Sequence, residues 1–326
     1  MEDSMLRGLH FQMSDSQRHR LKRAQEQLRE SPGSYHSSVF VNIADPIHVQ
    51  NEATVLKGHG TQVIEGQLMA TLCGVVERVD QLVTVKPLRS RYNADTGDVV
   101  VGRITEVGAK RWKVDINFRQ DVHLMLSAVN LPGGIQRRRT VVDELNMRTL
   151  FKENDLISAE VQSVHSDGSV HLHTRSLKYG KLANGQLVRV PSYLVKRQKQ
   201  HFHNLKTYAV DMIIGCNGYI WICAVPDSQT ATAELVGSTR DSAASEAVGL
   251  YSEIIPLKVR ENICRFANSI RVLSALGFLI HIDSIIDTLD TSASMGLALK
   301  DMLGAEFLVI IAEREAARRS KVHHML

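Results

Sequence analysis

The stretch Arg111-Trp112-Lys113-Val114-Asp115-Ile116-Asn117-Phe118 alternates between polar and apolar side chains without a break. A strand repeats every two residues, so Trp112, Val114, Ile116 and Phe118 face one way and Arg111, Lys113, Asp115 and Asn117 the other. This restricts the segment to a half-buried strand with its aromatic side in a core. Gly97 to Ile104 reads as a preceding strand. After a break at Leu131-Pro132-Gly133-Gly134 and the basic run Arg137-Arg138-Arg139, the spacing predicts a short helix from Val142 to Phe151. Ile157 to Val164 and Val170 to His173 then flank a Ser166-Asp167-Gly168-Ser169 turn, which is a hairpin signal. About five strands and one interposed helix in roughly eighty residues suit a small closed barrel of OB type.

The flanks differ in kind. From Val39 to about Val85 strand signals predominate, broken by Gly58-His59-Gly60-Thr61, Gly74 and Asp80-Gln81, and predict a small β domain. Before it, Ser14 or Asp15 can cap a charged helix running to Leu28, stopped by Ser31-Pro32-Gly33-Ser34. This helix has few apolar positions, so it is either mobile or docked on a partner. Beyond the barrel, residues 187–206 turn basic, with Tyr193, His201, Phe202 and His203 interleaved. Ile213-Ile214-Gly215-Cys216-Asn217-Gly218-Tyr219-Ile220-Trp221-Ile222 follows, the layout of a KH-type GXXG loop. The same pattern describes a hairpin turn, and the inner residues Cys216 and Asn217 lack the cation that RNA-gripping loops commonly carry. Residues 225–246 read as a polar insert. Ile263, Phe266, Ile270, Leu273 and Leu276 keep helix spacing until Gly277. Ile282, Ile285, Ile286 and Leu289 mark a second helix, and 308–319 a last apolar-then-basic segment.

The expected fold is therefore multidomain, mainly β and then α/β. Its divisions are an extension (1–37), an N-terminal β domain (38–95), a five-stranded OB-type barrel (96–178), and a KH-like α/β domain with the insert and C-terminal helices (179–326).

Composition narrows the function classes. The chain of 326 residues is 44% hydrophobic and 23% charged with a net charge of +4, which permits nucleic-acid binding without arguing for it, so the placement of charge decides. Four scattered cysteines with no Cys-x-x-Cys pair argue against a disulfide framework or zinc site and favour a reducing compartment. His171/His173 and His201/His203 would each share a strand face. No cysteine or carboxylate pattern completes a metal site around them, so solvated or RNA-facing histidines are the better reading. No apolar run is long enough to cross a membrane, and the N-terminus lacks the apolar core of a signal peptide. There is no P-loop, His-Glu-x-x-His or Gly-x-Ser-x-Gly. The chain reads as non-enzymatic, with no cofactor and no metal.

The candidate RNA contacts fall into four groups. Lys110, Arg111, Lys113 and Arg119 surround the barrel strand, where cations can track phosphates or simply form a solvated face. Arg137, Arg138 and Arg139 lie in a loop, and are solvated or meet phosphate or an acidic protein surface. Lys196, Arg197 and Lys199 sit in the basic segment, and Gly215, Asn217 and Gly218 in the GXXG turn.

Several longer stretches carry a resemblance. They include Lys57-Gly58-His59-Gly60-Thr61, Gly74-Val75-Val76-Glu77-Arg78-Val79, the run from Gly97 to Val107, and Asn130-Leu131-Pro132-Gly133-Gly134. The run from His173 to Leu182, Leu194-Val195-Lys196-Arg197-Gln198-Lys199, and Asn217-Gly218 with Ile220-Trp221-Ile222 complete them. Together, across 57–222, the chain resembles the RNA-binding cap-subunit family of the eukaryotic RNA exosome, the ribosomal RNA-processing protein 4 type. The resemblance implies a non-catalytic subunit seated on a ring of RNase PH-like proteins, beside other cap subunits. It further implies guidance of single-stranded RNA 3′ ends into a channel for 3′→5′ processing and degradation, including ribosomal RNA maturation, in nucleus, nucleolus and cytoplasm. Where the family often has a Pro-Gly-Asp turn, this chain has Ala44-Asp45-Pro46. A free-standing single-stranded RNA-binding regulator using the OB and KH domains is the alternative, and would bind RNA tightly without a ring.

Overall fold

Trp112, Val114 and Ile116 are fully buried and Phe118 is packed against the same core, as their alternation requires. The computed structural model describes residues 13–30, 40–47, 56–87, 89–130, 139–225 and 255–323. In chain order it begins with helix α1 (Asp15–Glu30), whose first turn is capped by Ser14: the Gln17 N–H donates to its Oγ at 3.3 Å. Strands β1 (Phe40–Val41), β2 (Leu56–Lys57), β5 (Gly74–Val79) and β6 (Leu82–Pro87) form one sheet in the order β1-β5-β6-β2. Strands β3 (Thr61–Ile64) and β4 (Gln67–Ala70) pair as a separate hairpin. Val41, Ile47, Ala70, Val83 and Val85 make a small core on one side of this domain. In the Ala44-Asp45-Pro46 segment, Ala44 takes a left-handed φ of 70°, and the Asp45 carboxylate accepts the Asn42 N–H at 2.7 Å.

The barrel comprises β7 (Val99–Gly108), β8 (Arg111–Asp115), β9 (Val122–Val129), β10 (Leu156–Val164) and β11 (Val170–Thr174). β10 pairs with both β7 and β11, and β11 runs parallel to β9, which closes the cylinder. The expected single helix is two short ones, α2 (Val141–Leu145) and α3 (Met147–Leu150). The Trp112 indole N–H donates to the Phe151 carbonyl at 3.1 Å, so the aromatic fills the core with its one polar atom satisfied.

Strand β12 (Gly180–Leu182) adds to β10. Strands β13 (Gly185–Arg189), β14 (Phe202–Leu205), β15 (Val210–Ile214) and β16 (Tyr219–Ala224) form an antiparallel sheet in the order β13-β16-β15-β14. Helix α4 (Leu257–Leu276) packs on this sheet and on α5 (Ile282–Ser294), and Gly277 ends it as the spacing predicts. Ile213, Tyr219 and Trp221 cluster instead with Val101 of β7. β7 is thus buried on two sides: Val100 joins the barrel core and Val101 the KH-side cluster. That explains why Val99-Val100-Val101 is an unbroken apolar run rather than an alternation.

The chain divides into two compact units, one of residues 91–304 and the other of 11–90 with 305–326. The final helix, α6 (Ala305–His323), therefore belongs with the N-terminal domain rather than with the KH-like region. It packs on α1. Arg20 makes two parallel bonds of 2.8 Å to the Glu313 carboxylate and a third, also 2.8 Å, to Glu306. Gln17 donates to Glu306 at 2.9 Å. α1 is thus docked, and its partner is the chain's own C-terminal helix.

Bonding to Arg20 holds the Glu313 carboxyl below its ordinary value, and bonding to Gln17 and Arg20 does the same for Glu306. Groups depressed on folding contribute stability above the unfolded value, lost as pH falls through the folded one. Amide exchange of α1 should therefore speed up, relative to the barrel strands, as pH drops below about 4. Arg20→Gln should produce the same loosening at neutral pH, and equal exchange in variant and parent would show that this cluster does not hold α1.

Candidate nucleic-acid interface

The outward side of the barrel is polar because β8 alternates. Arg111 is exposed there, and Lys113 lies half-exposed with its Nζ 2.6 Å from the Glu106 carboxylate of β7. Bonding to Lys113 keeps Glu106 below the usual carboxylate range. Lys110 occupies the β7–β8 turn with a positive φ of 58°, its Nζ 3.7 Å from Glu144 of α2. Arg119 is exposed in the β8–β9 connection. These four cations share one barrel, with Arg111 and Lys113 on one strand face.

The remaining candidates do not join them as a group. Arg137 and Arg138, like the 226–246 part of the insert, lie outside the described residues. Arg139 turns inward: its Nε donates to the Leu126 carbonyl at 3.2 Å and a terminal nitrogen to Val129, both on β9. Lys196 and Lys199 are exposed. Between them, Arg197 is taken up by carboxylates, with Nη2 2.5 Å from Asp95 and Nε 2.8 Å from buried Asp98. Asp98 also accepts the Tyr92 hydroxyl at 2.8 Å. Arg197 therefore ties the KH-side segment to the approach of β7, and its candidacy as a phosphate contact gives way to an ion pair.

The GXXG turn is the larger correction. Gly215 to Gly218 join β15 to β16 as a hairpin turn, the reading that its missing cation favoured, and the turn is pressed into the barrel rather than presented to solvent. Asn217 is 0% exposed. Its side-chain N–H2 donates to the carbonyls of Val101 at 2.7 Å and Ile116 at 3.0 Å, while the Cys216 N–H donates to Val99 at 2.9 Å. A Cβ on Gly218, at φ +83°, would stand 2.2 Å from the Val190 carbonyl oxygen, and one on Gly215 2.7 Å from that of Tyr219. The glycines are demanded by close backbone packing, not by a phosphate. Cys216 is equally withdrawn: burial pushes its thiol up to about 12. Gly215, Asn217 and Gly218 are thus out of reach of nucleic acid.

Histidines also reach the barrel's outward face: His171, already read as solvated or RNA-facing, and His123, which the sequence reading passed over. His123 stands beside Lys113 on the neighbouring strand, and His171 beside His123. The signal was present in the sequence, since His123 and His171 alternate with Val122, Leu124, Val170 and Leu172, all of them buried.

An S1-type barrel joined to a KH module defines the class. The family models agree: the S1 domain of RRP4 matches residues 91–163, and the KH domain 185–227. The chain is 48% identical to the exosome complex component RRP4 homolog of Arabidopsis thaliana, over 97% of this chain and 98% of that one. It is 44% identical to exosome complex component RRP4 of Mus musculus, over 89% of this chain and 93% of the other. To the Saccharomyces cerevisiae protein of that name it is 43% identical over 69% of each. The chain belongs to the RRP4 family of exosome complex components.

Arg197→Ala should lower stability by about 2 kcal/mol, reduced from a fully buried pair because the arginine is half-exposed. Asn217→Ala strips two buried carbonyls of their donor and should cost about 2–3 kcal/mol. Lys196→Ala and Lys199→Ala should stay within about 0.5 kcal/mol. Urea unfolding of the four variants checks this ranking, and a neutral Asn217→Ala would show that its amide does not hold the turn against the barrel.

Proposed function

We propose that this chain is a non-catalytic RNA-binding cap subunit of an RNA exosome. It clamps RNase PH-like ring subunits and guides RNA 3′ ends towards a separate 3′→5′ exoribonuclease, ribosomal RNA precursors among them, in nucleus, nucleolus and cytoplasm. The observation that carries the reading is 48% identity, over nearly the full length of both chains, to an exosome complex component RRP4 homolog. Two surfaces support it. The barrel offers Arg111, Lys113, Lys110 and Arg119 to phosphates, a contact expected to weaken with salt.

The N-terminal sheet offers something different. Register sets Leu56, Leu82 and Val79 in one cross-strand row, with Phe40 on the same face beside Val75. These four are 39–66% exposed although apolar, around the ion pair Lys86–Glu77. Such a face fits a protein neighbour rather than RNA. The free-standing regulator has no use for it.

Tagged protein purified from its native cell should elute with RNase PH-like subunits at near-equal amounts, in a complex several times its own mass. Val79→Asp with Leu56→Asp should abolish that co-elution while the monomer's unfolding temperature holds. Arg111→Ala with Lys113→Ala should leave assembly intact and weaken RNA capture, with a shallower salt dependence. A monomer carrying messenger RNA and no ring subunits would favour the regulator. Degradation of labelled RNA by the purified chain with a divalent metal would overturn the non-catalytic reading.

A further inference from the structure

The barrel's strand register lines up five polar side chains. Glu106 of β7 stands opposite Lys113 of β8, Lys113 opposite His123 of β9, His123 opposite His171 of β11, and His171 opposite Ser163 of β10. Directly opposed residues share a face and touch. The His123 and His171 rings lie 6.1 Å apart, and His165, exposed in the β10–β11 turn, meets His171 edge-on at 4.6 Å. The fold does not ask for imidazoles at these outward positions, where any strand-forming polar residue would serve. His123 also keeps a buried ring nitrogen, Nδ1, with no hydrogen-bond partner among the described residues.

We propose that Lys113, His123, His171 and His165 form a one-nucleotide seat for single-stranded RNA, and that RNA is held more tightly as the seat takes up a proton. The phosphate lies between Lys113 and His123, and the base stacks on the His165–His171 pair. The seat rests on the RNA-binding reading above and adds its residues and its regulation. Imidazole is a sequence-tolerant stacking surface, since every base presents a π-face.

The charges around His123 fix the direction of the response. β8 contributes Arg111 and Lys113, β7 contributes Glu106, which is engaged by Lys113, and β11 contributes His171 and His173. Asp121 lies just before β9, and His165 and Asp167 lie in the β10–β11 turn. Burial first, then Arg111, His171 and Lys113, hold His123 below its ordinary value, with Asp121 opposing. A phosphate brought alongside offsets those cations and raises it. Above the bound value the ring is neutral in both states and affinity is flat. Between the two values binding takes up a proton, so affinity climbs as pH falls, and below the free value it levels off. Phosphodiesters and bases do not titrate in this window.

The test is a titration of the full chain with short oligouridylate and oligoadenylate, followed by the histidine ring signals in NMR, at about pH 8 and about pH 6. The His123, His165 and His171 rings should shift, those of His201 and His203 should not, and affinity should rise about three- to tenfold at the lower pH. His123→Gln should remove the pH response while retaining binding, with thermal unfolding confirming its fold. Exposed His165→Ala should weaken binding about fivefold or more at both pH values. RNA that binds with these rings unmoved, or with affinity independent of pH, overturns the seat and leaves the RNA-binding reading standing. No binding at either pH overturns both.

Discussion

One asparagine side chain organises the unit of residues 91–304. Asn217 pushes its amide between Val101 of β7 and Ile116 at the end of β8, and meets a carbonyl from each. Those carbonyls are buried, so each would cost about 1–3 kcal/mol if left unpaired. The Gly-Cys-Asn-Gly turn must come close enough to deliver that amide, which is why both flanking glycines face oxygen atoms where a Cβ would stand. Around the latch, Val101, Tyr219 and Trp221 close an apolar seam, and Arg197 with Asp95 and Asp98 closes a polar one. Barrel and KH module are consequently one body.

This joint engages groups that the sequence offered as nucleic-acid contacts. A KH-type loop grips a phosphate through backbone that nucleic acid can approach, whereas here the turn's N–H of Cys216 is bonded to Val99 and that of Gly218 to Gly215. Arg197 is neutralised by two carboxylates. On the proposed reading recognition passes to the barrel, whose strands are fixed by a core and whose outward cations are exposed or half-exposed. A rigid strand face presents cations and rings at set spacings, which a mobile loop cannot do without an ordering cost.

The fold was legible wherever one period governed a segment. Arg111 to Asp115 is a half-buried strand because only one face of β8 is covered, although it stops short of Phe118 where Asn117 turns left-handed at a φ of 62°, and Gly277 ended its helix as a breaker should. Legibility failed where burial was two-sided or tertiary. Nothing local in Asn217 says that its amide will meet carbonyls of residues about a hundred positions away, and the same residue types in the same spacing serve a phosphate-gripping loop. Arg197 failed for the same reason, since a basic run shows charge but not which members have carboxylate partners. The docking of α1 on α6 was hidden because it depends on Arg20 meeting Glu306 and Glu313 across nearly the whole chain length. The histidine row was half visible: period two shows that His171 and His173 share a face, but only the register puts His123 beside His171.

Exposure separates the two units in kind. On the N-terminal sheet the outward residues include Phe40, Leu56, Val79 and Leu82, and on the barrel Arg111, Lys113, His123 and His171. Apolar area gains free energy by leaving water, so the first surface is unfavourable until a partner covers it. Charged and imidazole groups meet water or a neighbouring carboxylate until a phosphate replaces it, so on the proposed reading the second surface is stable while empty and responds to salt and protons. The cap subunit proposed above, held in a complex while taking and releasing RNA, would need both behaviours. Distributing them over separate sheets lets a substitution on one leave the other's energetics intact.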